Sequence, residues 1–242
     1  MNIDLALMTG IDIPFPEAEI TLHQPTIKEI AFLGEDTFFS GCEILNFSKD
    51  ILEEKDKVSL ENKSDFDILI AILRERNAVM QKNRNCVKLV LELIMPGYQV
   101  EFNETSIDLK KENEVHSLDN NNFVKFKQLL NKIAAYKKGG AQDYNPSGKL
   151  AKEIAEKLRK RQLKLAEDKP PQKLDIFARY SSVIAIGLCI DINQVMNYTP
   201  YQLFDQFERF MLKTAYDINV KAKLAGAKDL KEAEDWMKDI HS

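Results

Sequence analysis

Cysteine is scarce in this sequence. Cys42, Cys86 and Cys189 are odd in number and far apart, which excludes a disulfide framework and a paired-cysteine metal site and predicts reduced thiols in a cytoplasmic setting. Long apolar runs are missing as well. The longest, Val183 to Ile190, is less than half of the roughly 20 residues that a bilayer requires, so no membrane span is expected. Met1 to Phe15 carries Asp4 and Asp12 and no basic cluster ahead of its short apolar run, a pattern unlike a secretion signal. Charge of one sign is lacking too. The 34 basic and 38 acidic residues leave a net charge of -4, so no global field draws the chain to nucleic acid or acidic lipid, and any such binding must be local.

Groups that do chemistry are equally sparse. His23, His116 and His241 are scattered, with none in a zinc-binding pair at helical spacing. Gly148-Lys149 superficially resembles the end of a phosphate loop, but Leu150 stands where Ser or Thr would coordinate magnesium and Asp143 where the first glycine belongs. No Gly-x-Ser-x-Gly elbow occurs and no dinucleotide glycine fingerprint follows a predicted strand. Acidic pairs such as Glu53-Glu54 read as solvated helix faces. The expectation is a protein that is not an enzyme and requires no cofactor or metal.

What is present is an ordinary globular composition, 44% hydrophobic and 30% charged, far from that of disordered chains. Gly10 to Pro25 is extended and proline-containing, and Ala18 to His23 alternates apolar with polar as a half-buried strand does. Thr26-Ile27-Lys28-Glu29 is a capping box that starts a helix, interrupted near Gly34 and resumed through Phe38, Phe39, Cys42, Leu45 and Phe47. Ser64 to Asp67 repeats the start signal, and Phe66, Leu69, Ile70 and Leu73 follow on one face. Arg84 to Met95 reads as a helix apolar nearly all round, the expected centre of the core. Tyr98 to Leu109 alternates on both sides of Asn103-Glu104-Thr105, which predicts a hairpin. Asp119 to Asn122 lead into a helix that buries Phe123, Phe126, Leu130 and Ile133.

Lys137 to Gly148 is rich in Gly, Asn, Pro and Ser and marks a linker. The predicted division is an N-terminal α+β domain over 1–138, a linker over 139–148 and a C-terminal helical domain over 149–242. The fold class expected is mainly α with a small β element, a strand and a hairpin, in the N-terminal domain. Lys149 to Asp168 reads as a helix with a thin stripe of Leu150, Ile154, Leu158 and Leu165. After Pro170-Pro171 comes a helix whose body, Leu174 to Leu188, is apolar and expected to be buried. Thr199-Pro200-Tyr201-Gln202 is a further capping box, followed by Leu203, Phe204, Phe207, Phe210 and Met211. The aromatic face reads first as core. A last short helix is expected around Trp236.

The sharpest charge feature is the run Lys157, Arg159, Lys160, Arg161 and Lys164. It reads either as a solvated helix face or as a face that docks on a partner, since a helix with so thin a stripe is poorly anchored. Against nucleic acid stand the interspersed Glu153, Glu156, Glu167 and Asp168 and the lack of any aromatic residue on that helix.

Four segments together resemble a known family: Ile20 to Ile30, the helix opening Asn122 to Phe126, Tyr144-Asn145-Pro146-Ser147 before the basic helix, and Lys223 to Lys228. They look like tail assembly chaperones of phages of low-GC Gram-positive bacteria. That resemblance implies a factor of the host cytoplasm that coats the tape measure protein, recruits tail tube protein subunits and is absent from the finished virion. Many such chaperones are made in two lengths by a ribosomal frameshift, and the 139–148 linker falls where the longer form would add its second domain. The resemblance carries no catalytic or ligand residues, and homo-oligomer formation stays open. Two other readings remain beside it: a structural component of the tail, baseplate or neck, and a small nucleic-acid-binding protein acting through the Lys157 to Lys164 helix.

Overall fold

The computed structural model describes residues 1–48, 63–135, 175–227 and 235–237. Within them the chain is mainly helical, with two small antiparallel sheets in its N-terminal region.

The chain opens with helix α1 (Ile3–Thr9), which Asn2 caps by accepting the Leu5 N–H and which Gly10 ends at a φ of 69°. Only a short apolar run was expected here, because seven residues are too few to show a helical period. Strand β1 (Ile13–Phe15) pairs antiparallel with β2 (Ile20–Leu22), placing Ile13 opposite Leu22 and Phe15 opposite Ile20. The alternation read over Ala18 to His23 puts Ile20 and Leu22 on the buried face, where Ile13 and Phe15 of β1 join them. Buried Gln24 ties this hairpin to α1 by donating to the carbonyls of Ala6 at 2.9 Å and Ile11 at 2.6 Å.

Helices α2 (Ile27–Leu33) and α3 (Glu35–Leu45) meet at Gly34, whose φ of 95° is open to glycine and strained for other residues. The expected capping box starts α2: the Glu29 N–H donates to the Thr26 hydroxyl at 3.2 Å and the Thr26 N–H to the Glu29 carboxylate at 2.7 Å. A second box, Ser64 with Asp67, starts α4 (Asp65–Arg74).

Helix α5 (Ala78–Ile94) begins earlier than the apolar pattern suggests, because Asn77 caps it by accepting the Met80 N–H at 2.8 Å. Its first turns carry Gln81, Lys82 and Asn83, which show no apolar period. It is central, as expected, but not buried all round: Val87, Val90, Leu91 and Ile94 are buried while Leu89 is exposed. One face meets α3 so closely that a Cβ on Gly41 would lie 2.5 Å from Val90 Cγ2 and 2.7 Å from the Cys86 carbonyl oxygen.

Strands β3 (Gln99–Phe102), β4 (Ile107–Lys111) and β5 (Glu114–Leu118) form an antiparallel meander in that order. The predicted hairpin is β3 and β4. The third strand was not legible, since its pairing depends on the two-residue turn at Glu112 and Asn113, where Glu112 adopts a left-handed φ of 52°. Helix α6 (Phe123–Ile133) then buries Phe123, Phe126, Leu130 and Ile133 as expected, with Leu129 beside them.

After the segment that lies outside the described residues come α7 (Ile176–Leu188), α8 (Ile192–Val195) and α9 (Pro200–Leu224). The expectation that the whole body of α7 is buried does not hold. Phe177, Ser181, Ile184 and Ala185 face inward, whereas Val183, Ile186 and Leu188 are exposed, Ile186 by 77%. A helix on the surface of a small core can bury one stripe only, however apolar its remaining residues. The third capping box starts α9, with the Gln202 N–H donating to the Thr199 hydroxyl at 3.3 Å and the Thr199 N–H to the Gln202 side chain at 2.9 Å.

These C-terminal helices share one hydrophobic core with the N-terminal elements, through Phe177, Ile184, Val195, Tyr201 and Leu203. Backbone bonds knit the two parts. The N–H groups of Ile27 and Lys28, which α2 cannot itself satisfy, donate to the carbonyls of Tyr198 at 2.8 Å and Met196 at 2.9 Å. The Gln202 amide donates to the Met8 carbonyl at 2.9 Å. The predicted linker over 139–148 lies outside the described residues, as does most of the tail around Trp236. Among the described residues, no helix is long and apolar enough to cross a membrane.

Candidate protein-binding groove

Helices α7 and α9 cross closely because Gly187 has no side chain, and a Cβ there would come within 2.5 Å of the Phe210 ring. The crossing presents a sheet of aromatic rings. Tyr180 stacks flat on Phe207, with centroids 4.0 Å apart and planes at 2°, and meets Phe204 edge-on at 5.2 Å. Phe39 of α3 stacks on Phe177 at 5.2 Å, extending the aromatic cluster into the N-terminal part. Asp205, buried on α9, accepts from Arg209 Nε at 3.2 Å, one turn further on, a pair that stabilises this turn of the helix.

On the outer side this arrangement leaves an open groove of about 690 Å³. Its floor is Tyr180, Phe204, Phe207 and Met211, and its opposite wall is Phe39 with Asn131, Lys132 and Ala135 at the end of α6. An ion pair between Lys132 and Asp4, 3.1 Å apart, closes one rim by joining α6 to α1. The floor continues onto the far half of α9. No residue of α9 beyond Asp205 is buried, and Met211 and Ile218, seven residues apart on one face, are exposed by 51% and 61%. An apolar, concave and partly aromatic surface of this kind suits a protein segment better than a polar reactant, because it offers ring faces and few directional groups.

The residues singled out in the sequence fall into two groups. Lys157, Arg159, Lys160, Arg161 and Lys164 lie outside the described residues, as does the stripe Leu150, Ile154, Leu158 and Leu165. Phe204, Phe207 and Phe210, read first as core, are each half-buried: Phe210 lies under Gly187, whereas Phe204 and Phe207 form the groove floor. Tyr180 is not marked out by the sequence pattern. Its signal was faint, an aromatic one turn after Ile176 on a helix whose strong apolar run lies elsewhere.

Polar groups near the groove are structural. At the start of α7 the Glu35 carboxyl accepts the N–H groups of Ile176 at 2.8 Å and Phe177 at 3.4 Å, and it hydrogen-bonds the Asp175 carboxyl, which itself caps the helix through the Ala178 N–H. Burial, and then the neighbouring acid, push Glu35 up to about 7, while the hydrogen bond from Glu35 draws Asp175 down. Elsewhere His23 is held between Asp12, 2.9 Å from Nδ1, and Glu29, 3.3 Å from Nε2. Among the described residues no group of three or more His, Cys, Asp or Glu is placed to hold a metal ion.

Residues 169–241 match the family model described as the YomV second domain. This is a phage-associated family, so the match points to a phage protein. The matched stretch contains α7, α8 and α9, and therefore the whole aromatic floor of the groove. No curated protein and no solved structure matches the chain.

Proposed function

We propose that this protein is a phage tail assembly chaperone, one that binds the tape measure protein and recruits tail tube subunits while the tail is built in the host cytoplasm. It acts by protein–protein contact and catalyses no reaction. The observation that carries this reading is the aromatic groove over Tyr180, Phe204 and Phe207, which runs out along the unburied half of α9 and whose floor is formed within the stretch that matches the phage-associated family. An assembly factor needs a surface that holds a long, largely helical partner and lets it go. Apolar stripes laid into such grooves at i, i+3, i+4 and i+7 spacing do this. The segmental resemblance to tail assembly chaperones supplies the identity of the partner.

Co-expression with the tape measure protein of the same phage tests the reading. The two should co-purify, and Phe207→Asp, which puts a charge on a half-exposed ring position, should abolish co-purification while the protein stays folded. Mass spectrometry of purified virions then separates a chaperone, absent from the particle, from a structural tail, baseplate or neck component, which would be present in stoichiometric amount.

A further inference from the structure

A second surface, which shares no residue with the aromatic groove, lies where α5 passes strand β3. Gln81, Arg84, Asn85 and Lys88 recur along α5 at i, i+3, i+4 and i+7 and so project from one face of the helix. They line a cleft of about 530 Å³ with Arg76, from the turn before the helix, and with Phe102 on the strand. The Arg84 guanidinium sits over the Phe102 ring, 5.2 Å from its centroid. This cation–π contact holds the guanidinium against the ring while its N–H groups remain available as donors. Among the described residues neither Arg76 nor Arg84 makes an ion pair, and the side-chain amides of Gln81 and Asn85 find no hydrogen-bond partner. The two acids at the rim are already satisfied: Glu75 accepts from the Asn77 side chain at 3.1 Å and Glu101 is paired with Lys110. The cleft therefore offers cationic and amide donors in excess of acceptors.

We propose that this cleft is an interaction site for an acidic segment of a partner protein, with Arg84 and Arg76 each clasping a glutamate or aspartate carboxylate and Gln81 and Asn85 donating beside them. Paired N–H donors on a planar guanidinium match the two oxygens of a carboxylate. A nucleic acid fits less well. A phosphate backbone needs cations spaced along a track and rings on which bases can stack, whereas here the one ring in the wall is buried beneath Arg84.

The test is a titration of the full-length, ¹⁵N-labelled protein with a short peptide carrying consecutive glutamates, read at the arginine side-chain Nε–H signals. Controls are the same peptide with glutamine throughout and an oligothymidylate of equal charge. The Arg76 and Arg84 signals should shift with the glutamate peptide alone, and binding should weaken as salt rises. Arg84→Gln should lower affinity about tenfold, and Arg84→Lys should fall between, since it keeps the charge and loses the fork. If Arg84→Gln lowers the melting temperature, Arg76→Gln, outside the helix, takes its place and should weaken binding alike. The proposal fails if neither arginine responds, or if the glutamine peptide binds as well. Tighter binding of the oligothymidylate at these arginines replaces it with a nucleic-acid site.

Discussion

Glu35, the first residue of α3, and Asp175, the cap of α7, share a hydrogen bond at the point where the C-terminal helices dock on the N-terminal part. A hydrogen bond between two carboxyls needs one proton. Burial places it on Glu35, which is raised to about 7, while Asp175 is lowered. The pairing makes the junction sensitive to pH near neutrality.

The sign follows from proton binding. Between the ordinary carboxyl value of 4.5 and about 7, the folded protein holds a proton on Glu35 that the unfolded chain has released. The stabilisation is thus full below 4.5 and is lost as pH rises through about 7. Asp175 contributes in the opposite sense, but only at lower pH, since its folded value lies under the ordinary 3.8. Urea midpoints should fall from pH 5 to pH 8, and Glu35→Gln, which mimics the protonated acid, should flatten that slope. An unchanged slope in the variant would remove Glu35 as its source.

Phe38 is fully buried beside Phe39 and Phe177, whereas Phe207 lies half-exposed on the groove floor. Phe38→Ala should cost about 3–5 kcal/mol in chemical denaturation, through lost transfer energy and the cavity left behind. Phe207→Ala should cost distinctly less, because part of its surface is never removed from water. Equal losses would mean that the groove is core.

The two close helix crossings should differ in tolerance. At Gly41 an added methyl meets the Cys86 carbonyl oxygen at 2.7 Å, which is backbone and cannot swing away, so Gly41→Ala should destabilise by about 1–3 kcal/mol. At Gly187 its three nearest neighbours are all atoms of the Phe210 ring, a partly buried side chain able to shift. Gly187→Ala should therefore cost less, and the reverse ranking in melting temperatures would contradict this geometry.

The three thiols should react in a fixed order. Cys189 is exposed at the end of α7, whereas Cys86 is buried and Cys42 is buried with its thiol pushed up to about 12. A thiolate-directed reagent should modify Cys189 first under native conditions and reach Cys42 only on unfolding, as peptide mapping would report. Early labelling of Cys42 would show that α3 opens from the core.

Much of this fold was legible because its signals are local. The boxes at Thr26, Ser64 and Thr199 start their helices by bonds between residues three apart, so sequence spacing alone determined α2, α4 and α9. The alternation at Ile20 and Leu22 and the turn after Phe102 determined the strand and the hairpin in the same way. Only the tertiary structure decided the rest. Whether an apolar residue faces inward depends on which stripe finds a neighbour, so α7 buries Phe177 and Ile184 while Ile186 meets solvent, although the sequence presents them alike. The groove belongs to this second kind. Phe39, Lys132, Tyr180 and Phe207 are far apart along the chain, and they line one surface because Gly187 lets α7 and α9 cross closely and the Ile27 and Lys28 N–H groups anchor that pair to α2. Helical period can mark an aromatic as apolar, but only packing determines which of its faces remains uncovered.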